Sequence, residues 1–198
     1  MKYSGTDNTE KRIETAAMQL FFTRGVDAVS IRDIAKAAEC NSSMIHYYFR
    51  TKEKLLYFIV ERTTADTVTL VDEEIKQKKS SEQLNAFIDK FFNWALLNRY
   101  GFDVLFINGI SGYKECLSDL IRERREVVFS QYKKIIKPLF AINDQELLFS
   151  FYTFLGTVKM YLLLAPEGEK NHLEQINGFR KYLHKVMDKL LAMQQHKY

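Results

Sequence analysis

The sequence contains little glycine, proline or cysteine, and each shortage argues against a class of structure. Eight glycines and two prolines among 198 residues leave few positions for the tight turns that join β-strands, so an all-α protein is expected. The two cysteines, Cys40 and Cys116, lie far apart and form no Cys-x-x-Cys pair. The sequence therefore predicts neither a disulfide framework nor a zinc site, and we expect no metal and no cofactor.

An excess of one charge and long apolar segments are also missing. Residues 1–55 contain nine Lys and Arg against seven Asp and Glu, and residues 56–198 contain twenty against eighteen, so net charge alone does not indicate a nucleic-acid partner. The N-terminus, Met1–Asn8, lacks the apolar core of a signal peptide. We also expect no stretch that approaches the roughly 20 apolar residues of a membrane-spanning helix. These absences favour a cytoplasmic protein with no membrane partner.

Sequence patterns typical of enzymes are absent as well. The chain has no glycine-rich phosphate loop, no nucleophile elbow and no pair of histidines four residues apart. The histidines near the C-terminus, His172, His184 and His196, are interpreted as solvated surface residues. We therefore expect a protein that is not an enzyme.

Hydrophobic periodicity predicts two helices before residue 40. Apolar residues at helical spacing start at Ile13, and Gly25 ends that helix in the left-handed conformation that glycine adopts at helix C-termini. Ser30 begins the second helix, where its hydroxyl can cap a backbone amide. Asp33, three residues later, acts as a shorter version of the capping-box glutamate.

A third helix, capped by Asn41 or Ser42, and a longer helix from about Thr51 complete the N-terminal segment. Two short helices separated by a turn of three or four residues, and supported by another helix, form a helix-turn-helix. The sequence therefore predicts a helix-turn-helix domain in residues 1–55.

Residues 56–198 predict a second domain that is also helical. Lys76–Ser81 is interpreted as an interhelix loop, and three glycines within 101–112 suggest one or two short helices there. The longer helices are predicted at about 82–99, 113–137, 144–165 and 171–194.

Residues 12–56 combine residue types and spacings that match a known family. They are Arg12, Ile13, Ala16, Ala17, Leu20, Phe21, Gly25, Ser30, Ile34, Ala35, Ala38, Tyr47, Phe49, Lys52, Glu53, Lys54 and Leu55. With these residues the segment resembles the TetR family of regulators. The resemblance implies an all-α fold with an N-terminal three-helix helix-turn-helix DNA-binding domain and a C-terminal helical bundle for ligand binding and dimerisation. It further implies a homodimer that binds a palindromic double-stranded DNA operator and represses transcription. A small-molecule effector would release the dimer from the operator.

The first turn of the third helix carries compact polar residues, which suit a helix end presented to the major groove. Asparagine can bond adenine bidentately, serine suits several base edges, and methionine can touch a thymine methyl. The resemblance implies that Tyr47 and Lys52 contact phosphates and that residues 41–44 read or approach bases. The alternative left open is that Asn41 and Ser42 only cap the helix. The candidate DNA-contacting residues are Ser30, Arg32, Asn41, Ser42, Ser43, Met44, His46, Tyr47 and Lys52.

Two residues depart from the family's pattern. The family usually has tyrosine where this chain has His46, whose shorter imidazole would lose a phosphate contact or make it pH-dependent. Glu39 replaces a turn glycine, and it costs free energy to place a residue with a side chain at positive φ. Both departures leave the base preference open.

The predicted helix at 144–165 has two apolar faces, and one of them can face a partner rather than the protomer core. Gly156 on the second face permits close approach of another backbone. The resemblance implies that this helix and the last one form a four-helix dimer interface. The alternative is that both faces are simply core. The candidate dimer contacts are Phe149, Thr153, Gly156, Met160, Leu183 and Met187.

Aromatic residues of the second domain can line a pocket for an apolar or aromatic effector. Aromatic side chains at helical spacing also form cores, and this alternative stays open. The candidate effector contacts are Phe91, Trp94, Asn98, Phe102, Phe106, Tyr113 and Tyr152.

An alternative function is a helical module that binds a protein or a membrane surface. The last predicted helix has a basic side, with Lys181, Lys185 and Lys189, although such a face is usually just solvated. The helix-turn-helix segment has no role in that function.

Overall fold

The computed structural model describes residues 6–106, 114–164 and 172–195, and helices account for most of them. The predicted all-α fold class is confirmed. The helices are α1 (Thr6–Arg24), α2 (Ile31–Ala37), α3 (Ser42–Phe49), α4 (Lys52–Thr64), α5 (Glu73–Gln77), α6 (Ser80–Leu97), α7 (Arg99–Phe106), α8 (Lys114–Ile136), α9 (Asp144–Leu164) and α10 (His172–Gln195), with a 3-10 helix at Ala65–Thr69.

The described residues divide into two packing units. The first unit takes its residues from 1–65 and 100–123, and the second takes its residues from 66–99 and 124–198. This division follows packing, whereas the sequence-based boundary after residue 55 separates expected functions. That boundary therefore stays a prediction.

The N-terminal helices of the first unit form the predicted helix-turn-helix. α1 packs against α2, α3 and α4, and its residues Ile13 and Ala17 are completely buried. Gly25 ends α1 at φ 80°, as predicted for a left-handed C-terminal glycine. The other completely buried apolar side chains of this segment are Ile34, Ile45, Leu55, Leu56, Ile59 and Val60.

The second unit is built around α6, which packs against α5, α9 and α10. Phe87 and Phe91 of α6 are completely buried, and both rings contact Phe154 of α9, at centroid distances of 6.2 and 4.9 Å. Tyr132 of α8 lies in the same aromatic core, where its hydroxyl hydrogen-bonds the buried Ser150 hydroxyl at 2.9 Å. Burial raises the pKa of Tyr132 to about 12.

Two local predictions are corrected by the structure. The loop predicted at Lys76–Ser81 is only two residues long, because Asp72 caps α5 through the Ile75 amide and α6 already begins at Ser80. His184 is only partly exposed: its Nε2 atom lies 2.9 Å from an Asp89 carboxylate oxygen, and the pair joins α10 to α6.

The apolar helix α9 also departs from the sequence-based expectation. Within the described part of the chain, α9 is long and apolar enough to cross a membrane when judged by length and composition alone. Of its most apolar 18-residue window, 39% is buried inside the protein. A core helix meets the same criterion, and α9 packs against α6 and α10, so its composition is weak support for a membrane span.

Candidate nucleic-acid interface

One face of α3 is exposed along its whole length. Ser43, His46 and Tyr47 are exposed at helical positions i, i+3 and i+4, and the exposed Arg50 follows directly after the last residue of α3; these four residues are called here the α3 stripe. Ile45 on the opposite side is completely buried and anchors the helix to the core. The structure thus brings together three of the predicted DNA-contacting residues and adds Arg50.

Arg50 is the residue of this stripe that the sequence reading missed. It follows the last residue of α3, at φ 67° and ψ −55°, and its amide still donates to the His46 carbonyl. Helical spacing gave no signal for it, because Arg50 lies outside α3 in a non-helical conformation.

His46 has a hydrogen bond that fixes which ring nitrogen carries a proton. Its Nδ1 atom lies 2.9 Å from the Arg50 carbonyl oxygen. Since a carbonyl oxygen only accepts, Nδ1 is the donor and Nε2 is left as the other polar atom of the ring. The imidazole is therefore held against the C-terminal end of α3.

The first turn of α3 shows how its polar residues are used. Asn41 is exposed at the N-cap position, but its side chain makes no capping hydrogen bond to any described residue. Ser42 and Met44 are half-buried, whereas Ser43 is exposed. The interpretation of Asn41 as a side-chain cap is therefore corrected, because Asn41 holds the N-cap position without a capping hydrogen bond from its side chain.

At the start of α2, the predicted capping box is confirmed. The Asp33 amide donates to the Ser30 hydroxyl oxygen at 3.2 Å, and the Asp33 carboxylate accepts from the Ser30 amide at 2.9 Å. Hydrogen bonds from Ser30 hold the pKa of Asp33 below its ordinary value. Arg32, one residue inside the helix, is exposed.

Lys52, predicted to contact a phosphate, has partners within the protein. The residue is half-buried at the start of α4, and its Nζ atom donates to the carbonyl oxygens of Val26 and Val29 at 3.0 and 2.9 Å. These carbonyls belong to the loop between α1 and α2. Lys52 therefore stabilises this loop, and a phosphate contact is an additional role that stays a prediction.

The turn between α2 and α3 has the unusual backbone that Glu39 led us to expect. Glu39 lies at φ 49°, in the left-handed region. Its amide donates to the Lys36 carbonyl at 3.2 Å, and the Cys40 amide donates to the Ala35 carbonyl at 2.9 Å. These two bonds form a Schellman motif, in which Glu39 takes the position usually held by glycine.

An apolar groove lies between α9 and α10 on the surface of the second unit. It has a volume of about 840 Å³, and a glycine from each helix, Gly156 and Gly178, lies in its wall. A Cβ atom added to either glycine would have no described atom within 4 Å. The other lining residues are Thr153, Thr157, Met160, Tyr161, Leu164, Gln175, Phe179 and Tyr182.

The predicted dimer contacts divide between this surface and the core. Phe149, Thr153, Gly156 and Met160 are exposed on α9, and Phe149 and Met160 each expose 53% of their surface. Leu183 and Met187 of α10 are completely buried in the protomer. Their assignment as dimer contacts is corrected, because α10 turns that apolar stripe toward its own unit.

The predicted effector contacts that the structure describes are distributed over both units. Phe91 and Trp94 are buried in the second unit, with ring centroids 5.5 Å apart, and the Asn98 side chain donates to the Trp94 carbonyl. Phe102 and Phe106 contact each other in the first unit, also at 5.5 Å.

Two predicted effector contacts stand apart from those pairs. Tyr152 is 57% exposed on α9 and is not among the residues that line the groove between α9 and α10. Its position on α9 lies outside the buried stripe that includes Phe151 and Leu155. Tyr113 lies outside the described residues.

Comparison with known proteins identifies the segment that carries the α3 stripe. Residues 13–57 match the family model for bacterial regulatory proteins of the tetR family. The probable HTH-type transcriptional regulator YttP of Bacillus subtilis (strain 168) is 31% identical to this chain over 80 residues. That match covers 39% of this chain and 39% of the length of YttP.

Solved structures resemble the whole chain rather than one segment. The TetR family transcriptional regulator PfmR from Thermus thermophilus has a TM-score of 0.65 and 18% identity, over 91% of this chain and 97% of PfmR. A bacterial regulatory protein in the tetR family from Rhodococcus RHA1 has a TM-score of 0.71 and 17% identity, over 94% and 96% of the two chains. At these identities the similarity shows a common fold.

Proposed function

We propose that the chain is a homodimeric, effector-responsive transcriptional repressor of the tetR family, because residues 13–57 match the family model for bacterial regulatory proteins of the tetR family and the chain has the fold of such regulators. Its DNA target is a palindromic operator, and it acts in the cytoplasm. Repression rather than activation is the usual behaviour in the family.

The α3 stripe is the observation that carries the DNA-binding role. Ser43, Tyr47 and His46 present two hydroxyls and an imidazole on one exposed helical face, and Arg50 adds a guanidinium at the C-terminal end of the helix. A helix of this width fits the major groove, where hydroxyl and imidazole groups can bond base edges. A guanidinium at the helix end suits phosphate, which fixes the orientation of the helix on the duplex.

The groove between α9 and α10 supports a dimer. Its walls are largely apolar, and Met160, Leu163 and Leu164 on α9 expose 53%, 64% and 70% of their surface. Exposed apolar surface of this extent on a soluble regulator is typical of an association surface. A second copy related by a two-fold axis brings the same surface, and the glycines let the helices approach closely.

The effector is expected to be apolar or aromatic. The candidate contacts Phe91 and Trp94 are neighbouring buried aromatic residues of the second unit, and Asn98 adds a polar group beside Trp94. An effector releases the operator only if it binds one conformation of the dimer more tightly than another. Two recognition helices fit adjacent half-sites only when they are separated by one helical turn of DNA, about 34–36 Å, or by a multiple of it. The conformation that the effector favours must therefore place them at a different separation.

Selection from a random-sequence DNA library tests this function. The purified full-length protein should enrich an inverted repeat whose half-sites are centred one or more helical turns apart. Genomic fragments bound by the protein should contain the same repeat near promoters. A library that shows no enrichment after repeated rounds, with the protein folded and dimeric, would contradict the proposed function.

A further inference from the structure

The turn that leads into α3 holds a residue in a conformation that its side chain opposes. Glu39 lies at φ 49° at the end of α2, where a glycine would adopt the same backbone at little cost. Two residues later the N-cap of α3 begins, so the direction of the peptides at 38–40 sets the direction of the first turn of α3. Whatever stabilises Glu39 in this conformation therefore also positions the exposed Ser43.

Arg12 of α1 is bound to this turn. Its Nη2 atom donates to the carbonyl oxygens of Ala38 and Glu39, at 2.5 and 2.7 Å, across 26 and 27 residues of sequence. The same nitrogen lies 3.8 Å from the Glu39 carboxylate. Hydrogen bonds from a charged donor are stronger than those between neutral groups, so these contacts fix both carbonyls that flank the left-handed residue.

The carbonyl contacts matter more here than the ion pair. The Glu39 carboxylate is 87% exposed, and an ion pair in so much water contributes little. The two carbonyls, in contrast, belong to the backbone whose conformation is strained. Lysine cannot replace the planar guanidinium equally, because its ammonium offers donors without a fixed plane.

Resting on the proposed DNA-binding function, we propose that Arg12 is a positioning residue for DNA recognition: by binding the Ala38 and Glu39 carbonyls it holds the turn, and hence the first turn of α3, in the orientation that reads bases. Arg12 does this without contacting DNA. The glutamate at position 39 makes the chain dependent on Arg12, since a glycine there would keep the turn without help.

A set of four variants tests this role: Arg12→Met, Arg12→Lys, Glu39→Gly and the double variant Arg12→Met/Glu39→Gly. The probes are the duplex selected by the wild-type protein and a scrambled duplex of equal length, measured by fluorescence anisotropy over a series of salt concentrations. Arg12→Met should lower affinity for the selected duplex at least tenfold and leave the scrambled duplex and the salt slope unchanged. Arg12→Lys should recover part of the loss, and Glu39→Gly should restore most of it in the double variant.

Two results would overturn the proposal. If Arg12→Met weakened binding to both duplexes equally and reduced the salt slope by about one, Arg12 would be a phosphate contact. If Glu39→Gly gave no recovery in the double variant, the left-handed residue would not be what Arg12 stabilises.

A thermal-unfolding cycle with the same four variants needs no DNA. Arg12→Met should lower the melting temperature more in the wild-type background than in the Glu39→Gly background, and equal losses would contradict the role. This cycle also covers a variant too unstable for binding assays. A wild-type protein that binds no DNA would refute the proposed function, whereas the unfolding cycle would still decide whether Arg12 holds the turn.

Discussion

Replacing Gly156 by leucine should separate the dimer without harming the protomer. A Cβ atom at Gly156 meets no described atom within 4 Å, so a leucine fits on the protomer surface. Leucine also favours a helix over glycine, by about 0.5–1 kcal/mol. Thermal unfolding of the protomer should therefore be unchanged or slightly shifted upward. Any loss must arise at a surface that only the assembled protein covers.

The size of the loss follows from the symmetry of the interface. Overpacking of a close contact costs about 1–3 kcal/mol, and a two-fold axis places the substitution in the interface twice, which gives about 2–6 kcal/mol for the dimer. At about 1.4 kcal/mol per factor of ten, the dimer dissociation constant should increase by a factor of between about 30 and about 10⁴. Gly178→Leu should act in the same direction, because Gly178 lies in the wall of the same groove.

Analytical ultracentrifugation over a range of concentrations measures this effect. The wild-type protein should sediment with about twice the 23.3 kDa chain mass at micromolar concentration, and the Gly156→Leu protein should shift toward 23.3 kDa. Asn177→Leu is the matched control, since Asn177 is exposed beside Gly178 but does not line the groove. A Gly156→Leu protein that dimerises as tightly as the wild type, or a wild-type monomer that binds a palindrome tightly, would refute the reasoning.

Three further predictions concern the helix-turn-helix. Lys52→Ala should weaken binding to every DNA sequence and lower the slope of affinity against salt concentration by about one, and an unchanged slope would exclude the phosphate contact. The same variant should lower the melting temperature, because the Val26 and Val29 carbonyls lose their donor. Tyr47→Phe should weaken binding to all sequences alike in an anisotropy titration, while the control Tyr57→Phe, on α4, should not. The pKa of Asp33 is lowered in the folded protein, so its carboxylate stabilises the fold at pH values above the ordinary pKa of 3.8, and this stabilisation is lost as the pH falls through the lower folded pKa. The difference in melting temperature between the wild type and Asp33→Ala should therefore be present at pH 7 and shrink below pH 3.8.

The local elements of the helix-turn-helix could be predicted from sequence because each depends on neighbouring residues. The capping box of Ser30 and Asp33 and the left-handed Gly25 involve contacts within a few positions. The positive φ of Glu39 could be expected for the same reason. Its stabilisation by Arg12 could not, because the two residues are 27 positions apart and meet only in the folded protein.

Long-range packing also explains the errors in the second unit. Periodicity shows that α10 has an apolar stripe, but it does not show whether that stripe faces its own protomer or a partner. The structure buries Leu183 and Met187 and leaves Gly178 and Tyr182 in the wall of the groove. Lys52 follows the same rule, since its loop partners lie more than twenty positions away.

Sequence selection with the Ser43→Ala protein tests the reading of bases by the α3 stripe most directly. Ser43 is exposed on the stripe, and loss of a base contact costs about 1–3 kcal/mol of discrimination at one base pair. Ser130→Ala, on an exposed position of α8, is the control. The account predicts that the Ser43→Ala protein relaxes its preference at one symmetric position of each half-site, with the melting temperature and the rest of the motif unchanged. Identical motifs from the wild-type, Ser43→Ala and Ser130→Ala proteins would contradict it.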